Sequence, residues 1–340
     1  MKAVGYLQSH PIDHAESLLD LSLPAPEPGP RDLLVEVRAV SVNPVDAKVR
    51  QRRASADGVT PVVLGWDAVG VVRAIGAQVR GFAVGDRVWY AGDITRPGSN
   101  AELQCVDHRI ASHAPRSLSD AEAAALPLTA ITAWELLFDR LGVQAGESAT
   151  LLATGAAGGV GSVLVQLARA RTVLTVVGSA SRAETRAWLK ELGAHHVVDH
   201  TQPLVPQLAA IEGLPPLRYA ASLTHTPQHY AQLVEALVPQ GRLGVIDDFA
   251  AGEVDVMALK GKALSLHWEM MFARSLHQTP DMAEQGRLLA EVARLVDEGV
   301  LRSTASEVLG PIDAATLRRA HALIESGRTR GKLVLEGFGD

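Results

Sequence analysis

A run of small residues, Thr154-Gly155-Ala156-Ala157-Gly158-Gly159-Val160-Gly161, follows directly on the apolar stretch Ser148–Ala153 and opens a helical one, Gly159–Ala170. A strand that turns through glycines into a helix gathers backbone N–H groups and the positive end of the helix dipole at one point, which suits a pyrophosphate. In that arrangement Gly158 lets the amides of Gly155, Ala156, Ala157, Gly159 and Val160 approach the phosphates. Gly161 lets the helix lie close to the strand, and Ala156 takes the place of the usual first glycine. The next strand, Val173–Gly178, ends without the Asp or Glu that would take a ribose 2′-hydroxyl. Instead Ser179, Ser181 and Arg182 offer hydroxyls and a guanidinium suited to a 2′-phosphate, which favours NADPH over NADH. The alternative for Arg182 is a solvated residue in a first helical turn. His200, after the third strand, is placed to cover the adenine or ribose, and an ordinary surface histidine is the competing reading.

Metal chemistry finds little support in the same residues. Cys105 is the only cysteine, which excludes an internal disulfide and the clustered thiolates of a structural zinc site. His225 and His229 have helical i, i+4 spacing, but no third ligand accompanies them. The net charge of −6 and pI near 6.1 give no long-range attraction for nucleic acid or anionic lipid. The apolar runs, such as Thr172–Gly178, fall short of the ~20 residues that span a bilayer, and the N-terminus lacks a basic segment followed by an apolar one. The expectation is a cytoplasmic protein acting on a small molecule, with no metal.

These residues need elements to hold them. The 340-residue length suggests two folding units. Up to about Glu122 the sequence reads as short strands: Ala3–Leu7, Leu33–Val42, Ala68–Ile75, Asp86–Tyr90 and Ala101–Val106. The prolines at 24, 26, 28 and 30 mark a surface connection, since none can donate to a sheet ladder. Beyond Glu122 strands alternate with helices: Ser148–Ala153, Val173–Gly178, His196–Asp199, Arg218–Leu223, Arg242–Asp247 and Ala263–Trp268, with helices Gly159–Ala170, Arg182–Leu192, Pro203–Ile211 and Pro227–Leu237. Repeated strand–helix units call for a parallel, doubly wound sheet. The tail adds a helix at Asp281–Glu298, a strand at Ser303–Leu309, a helix at Asp313–Glu325 and a strand at Lys332–Leu335. The expected division is 1–122 with 273–340, and 123–272.

Several motifs resemble the medium-chain dehydrogenase/reductase superfamily, and within it the quinone oxidoreductases and zinc-type alcohol dehydrogenase-like proteins. They are Ser41-Val42-Asn43-Pro44-Val45-Asp46, Gly65-Trp66-Asp67-Ala68-Val69-Gly70, Val84-Gly85-Asp86-Arg87-Val88, the Gly155–Gly161 loop, and Gly331-Lys332-Leu333-Val334-Leu335. The resemblance implies an α/β protein with a GroES-like, partly open β-barrel domain and a Rossmann domain, a doubly wound parallel sheet of six strands. It also implies a nicotinamide lying between them, a homodimer, and cofactor contacts from Thr132, Thr224, the strand end with Ile246 and Asp247, and Lys332. Zinc-dependent members carry Gly-His-Glu where this chain has Gly65-Trp66-Asp67, and a Cys near the position of Asn43. An indole cannot ligate a metal.

Without a metal, the hydride acceptor must be electrophilic already, as a quinone or a conjugated enone is. Negative charge then develops on the acceptor oxygen and must be met by donors or a proton. The resemblance nominates Asn43, Lys48, Trp66 and Tyr90 as donors. Lys48 stands where several quinone oxidoreductases carry a tyrosine, with an exposed lysine paired to Asp46 or Asp67 as the alternative. Asp46 is expected to orient Lys48 or a backbone amide, and Trp66 to fill the vacated metal pocket or wall a planar substrate. Two other readings stay open, an alcohol dehydrogenase with zinc ligands elsewhere and a non-catalytic NADPH sensor.

Overall fold

The strand Thr150–Thr154 is buried along its whole length, and a strand apolar on both faces needs cover on both. The computed structural model, which describes residues 1–339, places it inside a parallel sheet of six strands with helices between them. The spatial order of the strands is His196–Val198, Thr175–Ser179, Thr150–Thr154, Leu217–Ser222, Arg242–Val245, Ser265–Trp268. Counted along the chain this is 3-2-1-4-5-6, the expected six-stranded doubly wound sheet. Helices Gly159–Arg171, Ala183–Glu191, Leu204–Ala209 and Thr226–Ala236 connect the strands. On one face Leu152, Val177, Ala220 and Leu243 pack with Leu204, Tyr230 and Leu233. Because every strand runs the same way, the loops after their carboxyl ends lie along one edge.

The chain divides into two units, Met1–Ile131 together with the residues from Phe272 onward, and Thr132–Met271, which holds the parallel sheet. In the first unit one long strand, Asp32–Val42, organises the rest. Ala68–Ile75 pairs with most of its length, Leu103–Asp107 with its first half and Lys332–Glu336 with its last. Register shifts at Leu34/Val35 and Val37/Ala39 mark bulges, which bend and twist a sheet toward closure. Arg87–Tyr90 and Ala111–His113 extend this sheet on one side, and Ala305–Val308 joins Lys332–Glu336 in parallel on the other. A smaller sheet combines Leu19–Ser22, Lys2–Tyr6 and Val62–Val63. The proline-bearing stretch after Ser22 forms no strand.

Several elements go beyond the expected ones, among them the short strands Leu19–Ser22, Val62–Val63 and Ala111–His113 and two helical stretches. Pro44–Arg52 is a helix, with Asn43 ahead of it, proline in its first turn, Asp46 at the third position and Arg50 and Arg52 in its last turn. Proline is tolerated there because the first amides lack intrahelical acceptors, and the charges oppose the helix dipole. Helix Pro127–Trp134 passes into a π-helix, Glu135–Arg140. The run Asp120–Arg140 is, among the described residues, the one helical stretch long and apolar enough to cross a membrane (21 residues, mean hydropathy 1.2), and 83% of it is buried within the protein. Its length exceeds the apolar runs anticipated from the sequence, and its burial identifies it as core.

Candidate active site and dinucleotide site

In the first unit a buried lysine lies among carboxylates. Lys332 opens the strand Lys332–Glu336, and only 3% of it is exposed. Its ammonium lies 3.0 Å from Asp67 Oδ2 and donates to Val42 O at 3.0 Å and to Asn43 Oδ1. Asp67 Oδ2 also accepts from Ser41 Oγ (2.8 Å) and Asn43 Nδ2 (3.0 Å), and Oδ1 accepts from the Leu128 amide (2.8 Å). Burial lowers the Lys332 pKa, and the Asp67 charge opposes that. The lysine expected along the cofactor is thus turned inward, as the counter-ion of Asp67.

Asp46 completes the network from the neighbouring helix. Its Oδ2 accepts from the Asn43 amide (2.7 Å) and its Oδ1 from the Gly65 amide (3.0 Å), tying the helix start to the loop that bears Trp66 and Asp67. Complete burial drives its pKa up to about 7, against the pull of those amides and Lys332. Asn43, Asp46 and Asp67 are therefore brought together. Asp46 orients backbone amides, one of the two roles considered for it.

The remaining candidates differ in access. Trp66 is 1% exposed, with its Nε1 3.4 Å from Asp93 O and its ring edge-on to Phe272 at 6.0 Å. It fills interior space and presents no open face. Tyr90 is fully buried and its hydroxyl has no hydrogen-bond partner; burial raises its pKa. Of the six candidates only Lys48, one turn into the helix Pro44–Arg52, keeps appreciable accessible surface.

The donor set does not suit a catalytic zinc. Such a site takes three protein ligands from thiolate, imidazole or carboxylate, and the matching positions hold Asn43, Trp66 and Asp67. Asp67 is the single ligand type, and both its oxygens are engaged by donors. Cys105 is half-buried with its thiol pushed up to about 11 by burial and the nearby Asp32, which keeps it protonated at neutral pH.

In the second unit the expected cofactor residues collect along the carboxyl edge of the parallel sheet. Gly155 has φ +66°, and a Cβ there would fall 2.6 Å from Thr224 Cγ2, so Thr224 lies against the loop. At Gly161 a Cβ would sit 2.5 Å from Ala156 Cα, so the first turn of the helix lies directly against the loop backbone. The amides of Gly159, Val160 and Gly161 fall in the first turn of the helix Gly159–Arg171, where no intrahelical acceptor exists. Ala156 is fully buried, and Ala157 and Gly158 are partly accessible. This cradle fits a pyrophosphate.

Ser179 ends the second strand with its Oγ 3.4 Å from His200 Nδ1, so the third strand's histidine meets the second strand's hydroxyl. Ser181 and Arg182 are exposed, and Arg182 Nη1 is 3.2 Å from Glu184. Ile246 is half-buried and its amide donates to Ser222 O at 3.3 Å. The Asp247 carboxylate accepts from the Thr226 amide at 3.0 Å and from its hydroxyl. Thr132, buried, lies on the helix Pro127–Trp134. His225 and His229 are not a metal pair: His225 donates to or accepts from Thr224 Oγ1 at 2.9 Å, while His229 stacks edge-on with His200 at 6.1 Å.

Sequence reasoning missed Ser41, the Leu128 amide and the inward role of Lys332. One signal was available: a lysine opening the otherwise apolar run Lys332-Leu333-Val334-Leu335 needs a buried partner.

A family model described as an alcohol dehydrogenase GroES-like domain matches residues 29–115, and one described as a zinc-binding dehydrogenase matches residues 192–335. A zinc-type alcohol dehydrogenase-like protein of Staphylococcus aureus (strain MSSA476) is 37% identical over 339 residues, covering 98% of this chain and 99% of that protein. A 2-methylene-furan-3-one reductase of Solanum lycopersicum is 36% identical over 211 residues, covering 59% of this chain and 53% of that protein. Among solved structures, a Rhizobium etli CFN 42 protein described as a candidate zinc-dependent alcohol dehydrogenase superposes with TM-score 0.96 at 54% identity, covering 100% of this chain and 99% of that one. The quinone oxidoreductase of Coxiella burnetii gives 0.78 at 28% identity, with 99% of each chain covered. The chain belongs to the medium-chain dehydrogenase/reductase superfamily, among the zinc-type alcohol dehydrogenase-like proteins, an oxidoreductase family that uses NAD(P)H.

Proposed function

We propose that this oxidoreductase reduces a quinone with NADPH and without a metal. The observation that carries the reading is the Asp67 network: its oxygens are engaged by Ser41, Asn43, Leu128 and Lys332, and its neighbours Asn43 and Trp66 are not zinc ligands. An acceptor at this site must arrive activated. When bound, the reduced nicotinamide supplies a hydride, two electrons with one proton. The Gly155–Gly161 loop holds the pyrophosphate, and Ser179, Ser181 and Arg182 hold the 2′-phosphate. Thr132, Thr224, His200, Ile246 and Asp247 line the remainder of the dinucleotide.

Hydride transfer places negative charge on one quinone oxygen, and one proton from solvent or a side chain completes the hydroquinone. Lys48, accessible on its helix, meets that charge. Asn43, Asp46 and Lys332 fix the helix and the Gly65–Asp67 loop that carry the site. Reduction of a conjugated enone is the second reading, because the tomato relative acts on an exocyclic enone and the same activation argument covers it. The first unit is then the catalytic domain and the second the dinucleotide-binding domain.

The test is the rate of NADPH oxidation, set against NADH, with a small quinone, an alkenal and a secondary ketone, each with and without chelator. Chelator-insensitive, NADPH-preferring turnover of the quinone is expected, and alkenal turnover in its place selects the second reading. Ketone turnover abolished by chelator would overturn both.

A further inference from the structure

The loop between Ser9 and Leu18 lies outside the residues assigned to dinucleotide or hydride transfer. Among the described residues one group of three His, Cys, Asp or Glu side chains has its ligand atoms all within 4.8 Å of one another: His10, His14 and Glu16. We propose that these three form a binding site for one zinc-class divalent cation, separate from the reductase chemistry.

Two imidazoles and one carboxylate are a ligand set that zinc accepts with a fourth position left to water. Magnesium and calcium prefer oxygen ligands throughout, so the imidazoles select a transition metal. The His10 and His14 rings lie face to face with centroids 4.0 Å apart and planes 15° from parallel, close enough for both to enter one coordination sphere. Zinc bonds of ~2.0–2.1 Å would bring the donors to roughly 3.4 Å apart. Rotation of side chains closes the difference, since His14 and Glu16 are exposed and His10 is half-buried. The Glu16 amide reaches His14 Nδ1 at a long 3.2 Å. A metal on Nε2 shifts the ring proton to Nδ1 and releases that amide to water.

The backbone beneath these side chains is firmly tied, which lowers the ordering cost of binding. His14 N donates to Pro11 O and Ser17 N to His14 O, each at 3.1 Å, and the Oγ of the buried Ser17 donates to Ile12 O. Arg318 Nη1 donates to Ala15 O and Leu18 O. On the other side Ser9 Oγ donates to Arg50 O at 2.8 Å, and the Arg50 guanidinium donates to His10 O while paired with Glu325. Glu325 thus balances the Arg50 guanidinium that sits on the His10 carbonyl. Arg50 belongs to the helix that bears Asp46 and Lys48, so a cation on the loop braces the far end of that helix.

The experiment is calorimetric titration of the full chain, free of dinucleotide, with Zn²⁺ and separately with Mg²⁺. One equivalent of Zn²⁺ should bind saturably, at least about tenfold more weakly in His14→Ala and not at all in His10→Ala/His14→Ala. Zinc should raise the thermal unfolding midpoint of the parent and not of the double variant. Equal zinc binding by parent and double variant would mean an adventitious ion only, and would overturn the site, as would no binding to the parent. Binding of Mg²⁺ as tight as Zn²⁺ would overturn the metal class. Glu16→Gln, isosteric and on an exposed side chain, gives a second test should the histidine variants fold poorly: it too must weaken zinc binding.

Discussion

Lys332 and Asp67 are both removed from water, and each is tolerable only because the other is present. A buried ion pair gains little against well-packed apolar residues, yet loss of one partner leaves a charge with nothing to balance it. Lys332→Met should therefore cost about 3–5 kcal/mol of unfolding free energy, because Asp67 retains the hydroxyl and amide donors but loses its cation. Adding Asp67→Asn to that variant removes the stranded charge and should recover more than half of the loss. Urea unfolding of the two single variants and the double variant measures both figures. Strict additivity of the single losses would show that the pair is not coupled and that the lysine acts elsewhere.

The strand–loop–helix unit at Thr150–Arg171 makes its demand through one glycine. A methyl group at Gly161 would lie 2.5 Å from Ala156 Cα, and backbone cannot step aside as a flexible side chain does. Gly161→Ala should lose about 1–3 kcal/mol and, on the proposed reading in which this loop holds the pyrophosphate, weaken NADPH binding by about an order of magnitude. Gly146→Ala, where a Cβ meets nothing within 4 Å, should leave binding unchanged, and fluorescence titration with NADPH compares them. This unit was legible in the sequence because its signals are local: an apolar strand, glycines at fixed offsets and a helical period. The helix Pro44–Arg52 was not, although Asn43, Pro44 and Asp46 mark its start, because its polar composition carries no strong apolar stripe. The stretch Asp120–Arg140 is mostly apolar and mostly buried, with its charges near the two ends, so periodicity could not define it. The Asp67 network joins five residues from four parts of the chain, Ser41 with Asn43, Asp67, Leu128 and Lys332, and long-range pairing of that kind leaves no mark in local spacing.

At the scale of the whole molecule, the chain passes between its two units twice, at Ile131/Thr132 and at Met271/Phe272. Glu135 follows the first crossing and Glu269 precedes the second, and both are buried beside one cation. Arg140 Nε lies 2.9 Å from Glu269 Oε2 and Arg140 Nη2 lies 3.3 Å from Glu135 Oε2. One guanidinium cannot balance two carboxylates, and burial with the Glu135 charge pushes the Glu269 pKa up to about 9. At neutral pH Glu269 therefore holds a proton, and its Oε1, buried and otherwise without a partner, can donate to Glu135. Glu269 takes up a proton on folding whenever the pH lies above its unfolded value of 4.5. Its contribution is complete below that value and is lost as the pH rises through about 9, with a slope approaching about 1.4 kcal/mol per pH unit for one proton. Thermal unfolding followed from pH 5 to pH 9 should show a falling midpoint, and Glu269→Gln, which keeps the shape and a donor without a titrating group, should flatten that fall. If the midpoint of the variant falls as steeply as the parent's, the proton is not shared at Glu269, and the two crossings are joined by an ordinary charged network.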